Sequence, residues 1–143
     1  MPEPKDLLFK VVTRLHRAAY DLSHGKVGGT TMGMPVLKLT TVGRKSGERR
    51  TTMLTSPLVE GDDLILVASF GGDDRHPAWY LNLVANPDVD VEIEGSKRPM
   101  RASVAQGAER TRLWDAVTAA HDNYAGYQKK TDRELPVVVL SPR

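Results

Sequence analysis

Between Lys5 and Leu22, apolar residues recur every three or four positions (Leu8, Val11, Val12, Leu15, Ala18, Ala19, Leu22), with Lys10, Arg14 and Arg17 opposite them. That spacing predicts an amphipathic N-terminal helix. SHGKVGGTTMGMP, ending at Pro35, is too rich in glycine for a regular element and reads as a flexible connector. From Val36 the period falls to two. VLKLTT (36–41), TTMLTSPLV (51–59) and DLILVAS (63–69) predict strands, the last two joined by a turn at Gly61 and Asp62. VDVEIE sets Val89, Val91 and Ile93 against Asp90, Glu92 and Glu94; after an EGSK turn, RPMRASVAQ keeps the alternation at Met100, Ala102 and Val104. PVVVL (136–140) is apolar at every position, which predicts a central strand covered on both faces, with its proline at the start where a missing donor is tolerated.

Two helices interrupt the strands. HPAWYLNLVANP begins at Pro77 and stops at Asn86, with Trp79, Leu83 and Val84 on one face. A second runs from about Ala108 to Ala120 or beyond, where Leu113, Val117, Ala120, Tyr124 and Tyr127 keep a spacing of three or four. About six antiparallel strands with few helices predict a small barrel or roll, because closure hides the sheet edges. The division that follows is an N-terminal helix and connector over 1–35 and one β domain over 36–143.

Composition adds limits. A chain of 143 residues, 40% of them hydrophobic, buries one substantial core and would starve two. The net charge of +2 is too small for the whole surface to attract a polyanion, so the cations at 44–50 are a local feature, and with aromatics sparse as well nucleic acid is not expected as a partner. With no cysteine, disulfides, thiolate nucleophiles and thiolate metal sites are excluded. The four histidines (16, 24, 76, 121) lack metal-ligand spacing, and no metal is expected. No signal sequence or membrane span is evident, and the expected location is the cytoplasm. The N-terminal helix suits either packing on the barrel or contact with a membrane surface.

Charge is instead concentrated locally. VGRKSGERR (42–50) places Arg44, Lys45, Arg49 and Arg50 around Gly43, Ser46 and Gly47. Such a loop can cradle phosphate or carboxylate through backbone N–H groups and cations; on composition alone a solvated hairpin tip is an equal reading. It is no Walker motif, since the glycine spacing differs and a strand follows. In ASFGGDDRHPAW (68–79), Gly71 and Gly72 would let a flat ligand approach the main chain, or simply make a turn. Tyr124 and Tyr127 suit a core first and a ligand wall second.

Taken in order, LTTVGRKSGERR, LVASFGGDDRHPAWYLNLVANPDVDVEI and YAGYQKKTDRELPVVVL resemble the deazaflavin-dependent nitroreductase family of actinobacteria, reductases that use coenzyme F-420. The resemblance spans roughly residues 36–143. It implies a mainly β (α+β) fold, a split β-barrel of the FMN-binding, pyridoxamine-phosphate-oxidase-like type, preceded here by the amphipathic helix. It also implies hydride transfer from the reduced deazaflavin to an electron-poor small molecule: an activated C=C, a quinone or a nitro compound. Matched residue by residue, Arg44, Lys45, Ser46, Gly47 and Arg50 would hold the phosphate and nearby carboxylates. Met53, Thr55, Ala68, Ser69, Phe70, Gly71, Gly72, Ala78 and Trp79 would bound the ring and substrate space, and Ser69, Tyr124 and Tyr127 would serve the acceptor oxygen. At Met53, Thr55, Phe70 and His121 the chain departs from a quinone- and nitroimidazole-reducing member of the family, which implies a differently shaped pocket. FMN on the same barrel is the alternative cofactor, and a non-enzymatic module that binds an anion or nucleic acid through its basic loop is the alternative of another class. Monomer and homodimer both remain open.

Overall fold

The computed structural model describes residues 30–31 and 34–143; the helix expected over 5–22 lies outside them. Eight strands are described: β1 (Thr30–Thr31), β2 (Met34–Val42), β3 (Arg49–Thr55), β4 (Leu58–Glu60), β5 (Asp63–Val67), β6 (Asp88–Ile93), β7 (Ser96–Val104) and β8 (Val137–Pro142). Three α-helices accompany them: α1 (Ala78–Ala85), α2 (Gly107–Ala120) and α3 (Asn123–Lys129). The main sheet is antiparallel throughout, in the order β3-β2-β6-β7-β8-β5-β4, and β1 pairs with the start of β2.

Two departures from the sequence pattern shape the barrel. The expected strand over 51–59 is two strands, β3 and β4, at opposite edges of the sheet. The break falls at Ser56 and Pro57. Ser56 is buried, its hydroxyl lies 2.9 Å from the carbonyl oxygens of both Leu58 and Ile65, and its N–H donates to Pro35 O at 3.0 Å. Pro57 has no donor to continue a ladder. The chain therefore joins the two sheet edges through a bend, and the barrel stays split there. The ordered sheet also begins earlier than Val36: Met34 is already in β2 and buried.

The all-apolar strand behaves as expected. β8 lies between β7 and β5, with Leu64 opposite Leu140 and Val67 opposite Val137. Its alternation feeds two cores. Val138 and Leu140 join Leu37, Leu39, Leu64, Leu66, Leu83, Val91 and Met100 in one cluster. Val137 and Val139 join Met34, Ile65, Val67, Leu113, Val117 and Tyr124 in the other, under α2 and α3. Each such side chain, fully buried, stabilises the fold by roughly 1.5–3 kcal/mol.

The helices differ in detail from the pattern. In α1, Leu83 is buried and Trp79 packs on the first core, but Val84 is 56% exposed, so the three do not share an inner face. The expected helix from about 108 onward is two. Extended backbone at His121 ends α2, and the residues that follow, Asp122 and Asn123, are ones whose side chains compete with helical hydrogen bonding. Ala120 is consequently exposed, while Tyr124 reaches the core from α3. The 63–69 strand ends at Val67; Ala68 and Ser69 lead into a turn.

Candidate active site

The cationic loop is the tip of the β2–β3 hairpin, beyond the last pair Val42 and Arg49. Gly43 N–H donates to Glu48 O at 2.7 Å, Gly47 N–H to Gly43 O at 2.8 Å, and Glu48 N–H to Ser46 Oγ at 3.1 Å. Two glycines are required. Gly47 has φ +72°, and a Cβ on Gly43 would stand 2.7 Å from Ser46 Oγ. Ser46 thus builds the turn as well as presenting a hydroxyl.

The charges are only partly matched. Arg49 pairs with Asp90 at 2.8 Å and Arg50 with Glu48 at 3.3 Å. Lys45 has no ion-pair or hydrogen-bond partner among the described residues, and Arg44 is held by a neutral group. Its backbone N–H and Nη1 both donate to Asn82 Oδ1, at 3.2 and 3.0 Å, and Asn82 Nδ2 donates to Thr41 Oγ1 at 3.2 Å. Asn82 is 4% exposed. It positions a cation without neutralising it.

The glycine pair forms a 3₁₀ turn, Phe70–Gly72. Phe70, Gly71 and Gly72 have φ of +46°, +63° and +85°; Phe70 there costs on the order of 1 kcal/mol or more. Gly72 is packed: a Cβ would meet Tyr127 O at 2.8 Å. Gly71 is open, with nothing within 4 Å of such an atom. A planar group therefore has room against Gly71 but not Gly72.

Arg133, between α3 and β8, gathers this segment. Its Nε donates to Asp73 O at 2.8 Å, Nη1 to Ala68 O at 3.2 Å and Nη2 to Ser69 O at 3.0 Å; Nη1 also stands 3.2 Å from His76 Nδ1. Because a guanidinium only donates, Nδ1 accepts and His76 is neutral. Burial first, and the Arg133 charge second, hold the His76 pKa below its ordinary value. The imidazole also lies 4.8 Å from the Tyr80 ring.

Of the remaining expected residues, Met53 is buried against Val36, Thr55 is half-buried and Ala78 is exposed at the start of α1. Tyr124 is 5% exposed, with its hydroxyl 3.5 Å from Met34 Sδ. Burial raises its pKa, opposed by a hydrogen bond with the Thr55 side chain. The Tyr127 ring stacks edge-on at 5.8 Å and is half-buried. Ser69 Oγ makes no hydrogen bond among the described residues. A cavity of about 410 Å³ is lined by His76, Tyr80, Arg110 and Glu134 among others, but by none of the expected ring residues.

The structure connects the two expected regions through α1, which starts beside the 68–76 segment and carries Asn82 to Arg44. Asn82 stands four positions after Ala78 in the helix, about 6 Å of rise. Asn82, Thr41 and Arg133 were not legible as site residues. Asn82 had one signal, the lone strongly polar side chain in AWYLNLVA.

A split antiparallel barrel with a cationic hairpin tip and an open glycine beyond the end of β5 is the class of protein that the fold and these residues define. Residues 12–142 match the family model described as F420H(2)-dependent quinone reductase, and the chain belongs to that family of coenzyme F-420-dependent oxidoreductases. It is 42% identical over 134 residues to an F420H(2)-dependent quinone reductase of Mycobacterium tuberculosis, covering 91% of this chain and 89% of that one. Among solved structures, an F420-H2 dependent reductase matches with TM-score 0.66 and 40% identity, over 75% of this chain and 94% of the other. A domain-swapped dimer matches with TM-score 0.69 and 34% identity, over 97% and 100%. A Clostridium acetobutylicum protein of the pyridoxinephosphate oxidase family, 10% identical with TM-score 0.51 over 90% and 84% of the two chains, shares the fold. No helix among the described residues is long and apolar enough to cross a membrane.

Proposed function

We propose that this chain reduces quinone-type acceptors, holding the phosphate and carboxylates of coenzyme F-420 at the β2–β3 tip and its ring against the turn at 68–72. The observation that carries this reading is the Asn82 clamp, which aims Arg44 while leaving its charge available, beside a Lys45 with no partner among the described residues. The donor set fits an anionic tail, and the open face of Gly71 fits a flat head.

When bound, the reduced coenzyme supplies a hydride to the acceptor. The chain's part is to orient the two and to stabilise charge developing on the acceptor oxygen. Tyr127, half-buried, and Ser69, whose hydroxyl is uncommitted among the described residues, are the side chains that would donate hydrogen bonds there. Tyr124 braces Tyr127 from the core, and its buried phenol stays protonated. The structure solved as a domain-swapped dimer supports a homodimer as the assembly, which light scattering would check.

The test is titration with oxidised coenzyme F-420. Saturable binding that weakens with salt is expected, and Lys45→Ala or Arg44→Ala should raise Kd about tenfold, the loss of one charge-assisted hydrogen bond. Tyr127→Phe should lower turnover of a soluble benzoquinone at unchanged Kd. Folded protein that shows no saturable binding would overturn the reading.

A further inference from the structure

The expected site is built on a strained turn. Three consecutive residues, one of them Phe70, sit at positive φ; two backbone bonds close the turn, Gly72 N–H to Ser69 O at 2.9 Å and Asp73 N–H to Phe70 O at 3.1 Å, and on its exposed side Arg75 bonds the Asp73 carboxylate and stands 5.6 Å over the Phe70 ring. A non-glycine residue in this region persists only where the surroundings over-determine it. Arg133 supplies the part of that constraint that acts on the backbone carbonyls. From one planar fork it bonds the carbonyls before the turn (Ala68, Ser69), the carbonyl after it (Asp73) and the His76 ring that leads into α1. Ammonium is a compact point charge on a flexible stem; it cannot reproduce donors spread in a plane.

We infer that Arg133 is a positioning residue that fixes the 68–76 segment in the conformation that receives the coenzyme ring. This rests on the reading that the ring lies against that turn. Arg133 acts through carbonyls and His76, and the anion-binding tip is tied down separately by Asn82. Its loss should therefore leave the tail contacts standing and spoil only the ring's seat.

The experiment compares wild type, Arg133→Met and Arg133→Lys in two measurements. Hydrogen exchange on protein without coenzyme reads the turn directly. The Gly72 and Asp73 amides should exchange at least about tenfold faster in Arg133→Met, and less so in Arg133→Lys, as expected for loss of bonds to a charged donor. Amides of the β5–β8 ladder should be unchanged, which shows that the fold is intact. Titration with oxidised coenzyme F-420 reads the consequence. Kd should rise about tenfold in Arg133→Met while its salt dependence, set by the cationic tip, keeps the wild-type slope. Unchanged exchange at Gly72 and Asp73, or unchanged affinity, would overturn the role given to Arg133. Absence of binding by wild type would instead overturn the proposed site, and with it this dependent inference.

Discussion

At the scale of single residues, the contact between Arg133 and His76 makes a pH-dependent prediction. The imidazole accepts a hydrogen bond at Nδ1 from a permanent cation, and the Tyr80 ring lies against it. Asp73 and Asp74 act favourably on Arg133 and soften the repulsion a protonated His76 would feel, but they do not reverse it. Since burial and Arg133 lower the His76 pKa in the folded state, the unfolded chain takes up its proton first as pH falls. The unfolded state is then favoured by proton binding, so stability is complete above the ordinary histidine value of about 6.5 and declines below it until the folded form also protonates. His76→Gln keeps an acceptor for Arg133 and cannot titrate. Urea unfolding between pH 8 and pH 5 should show wild type losing stability relative to His76→Gln over the acidic part of that range. Parallel profiles would show that His76 does not titrate against Arg133.

At the scale of elements, α1 is the connector on which the site depends, and its role was half legible. Pro77 and the asparagine before Pro87 announced the helix in sequence, and its apolar residues announced a buried face. That Asn82 holds Arg44 and Thr41 could not be read, because the partners lie 38 and 41 residues away and local pattern carries no information on such pairing. The same limit explains the misread strand over 51–59: alternation runs on through Ser56, whereas the break depends on bonds to Pro35 and Ile65. The cationic tip and the glycine turn were legible since both are local chemistry. For Asn82 the prediction separates support from charge. Asn82→Ala removes the acceptor for two Arg44 donors and leaves Thr41 without its donor, and should cost roughly 1–3 kcal/mol of stability together with coenzyme affinity. Asn82→Asp preserves an acceptor for Arg44, and the Thr41 hydroxyl can turn to donate to it, but it neutralises the cation proposed to hold the tail. It should bind coenzyme F-420 about tenfold or more weakly with little loss of stability. Thermal melts and titration of the two variants decide, and an Asp variant that binds like wild type would refute the charge argument.

At the scale of the whole molecule, one pair of strands supports two cores. Along β5 and β8, even-numbered residues Leu64, Leu66, Val138 and Leu140 enter the cluster under α1, and odd-numbered Ile65, Val67, Val137 and Val139 enter the cluster under α2 and α3. That both faces of β8 are buried was legible in its unbroken apolar run. Its insertion between β5 and β7 was not, because strand order is a property of the assembled sheet. The arrangement means neither core can open alone: losing β8 from one would strip the other of Val137 and Val139. The two tryptophans report the cores separately, since Trp79 packs on the first and Trp114 on the second. Trp114→Phe and Trp79→Phe each leave one reporter. In these backgrounds Leu140→Ala, which opens a cavity in the first core only, should lower stability by about 2–5 kcal/mol. Fluorescence from Trp79 and from Trp114 should show that loss equally, as one cooperative transition in denaturant. A shift seen by Trp79 but not by Trp114 would mean that the helices α2 and α3 hold their side of the sheet independently, and that the turn packed against α3 through Gly72 is insulated from the barrel interior.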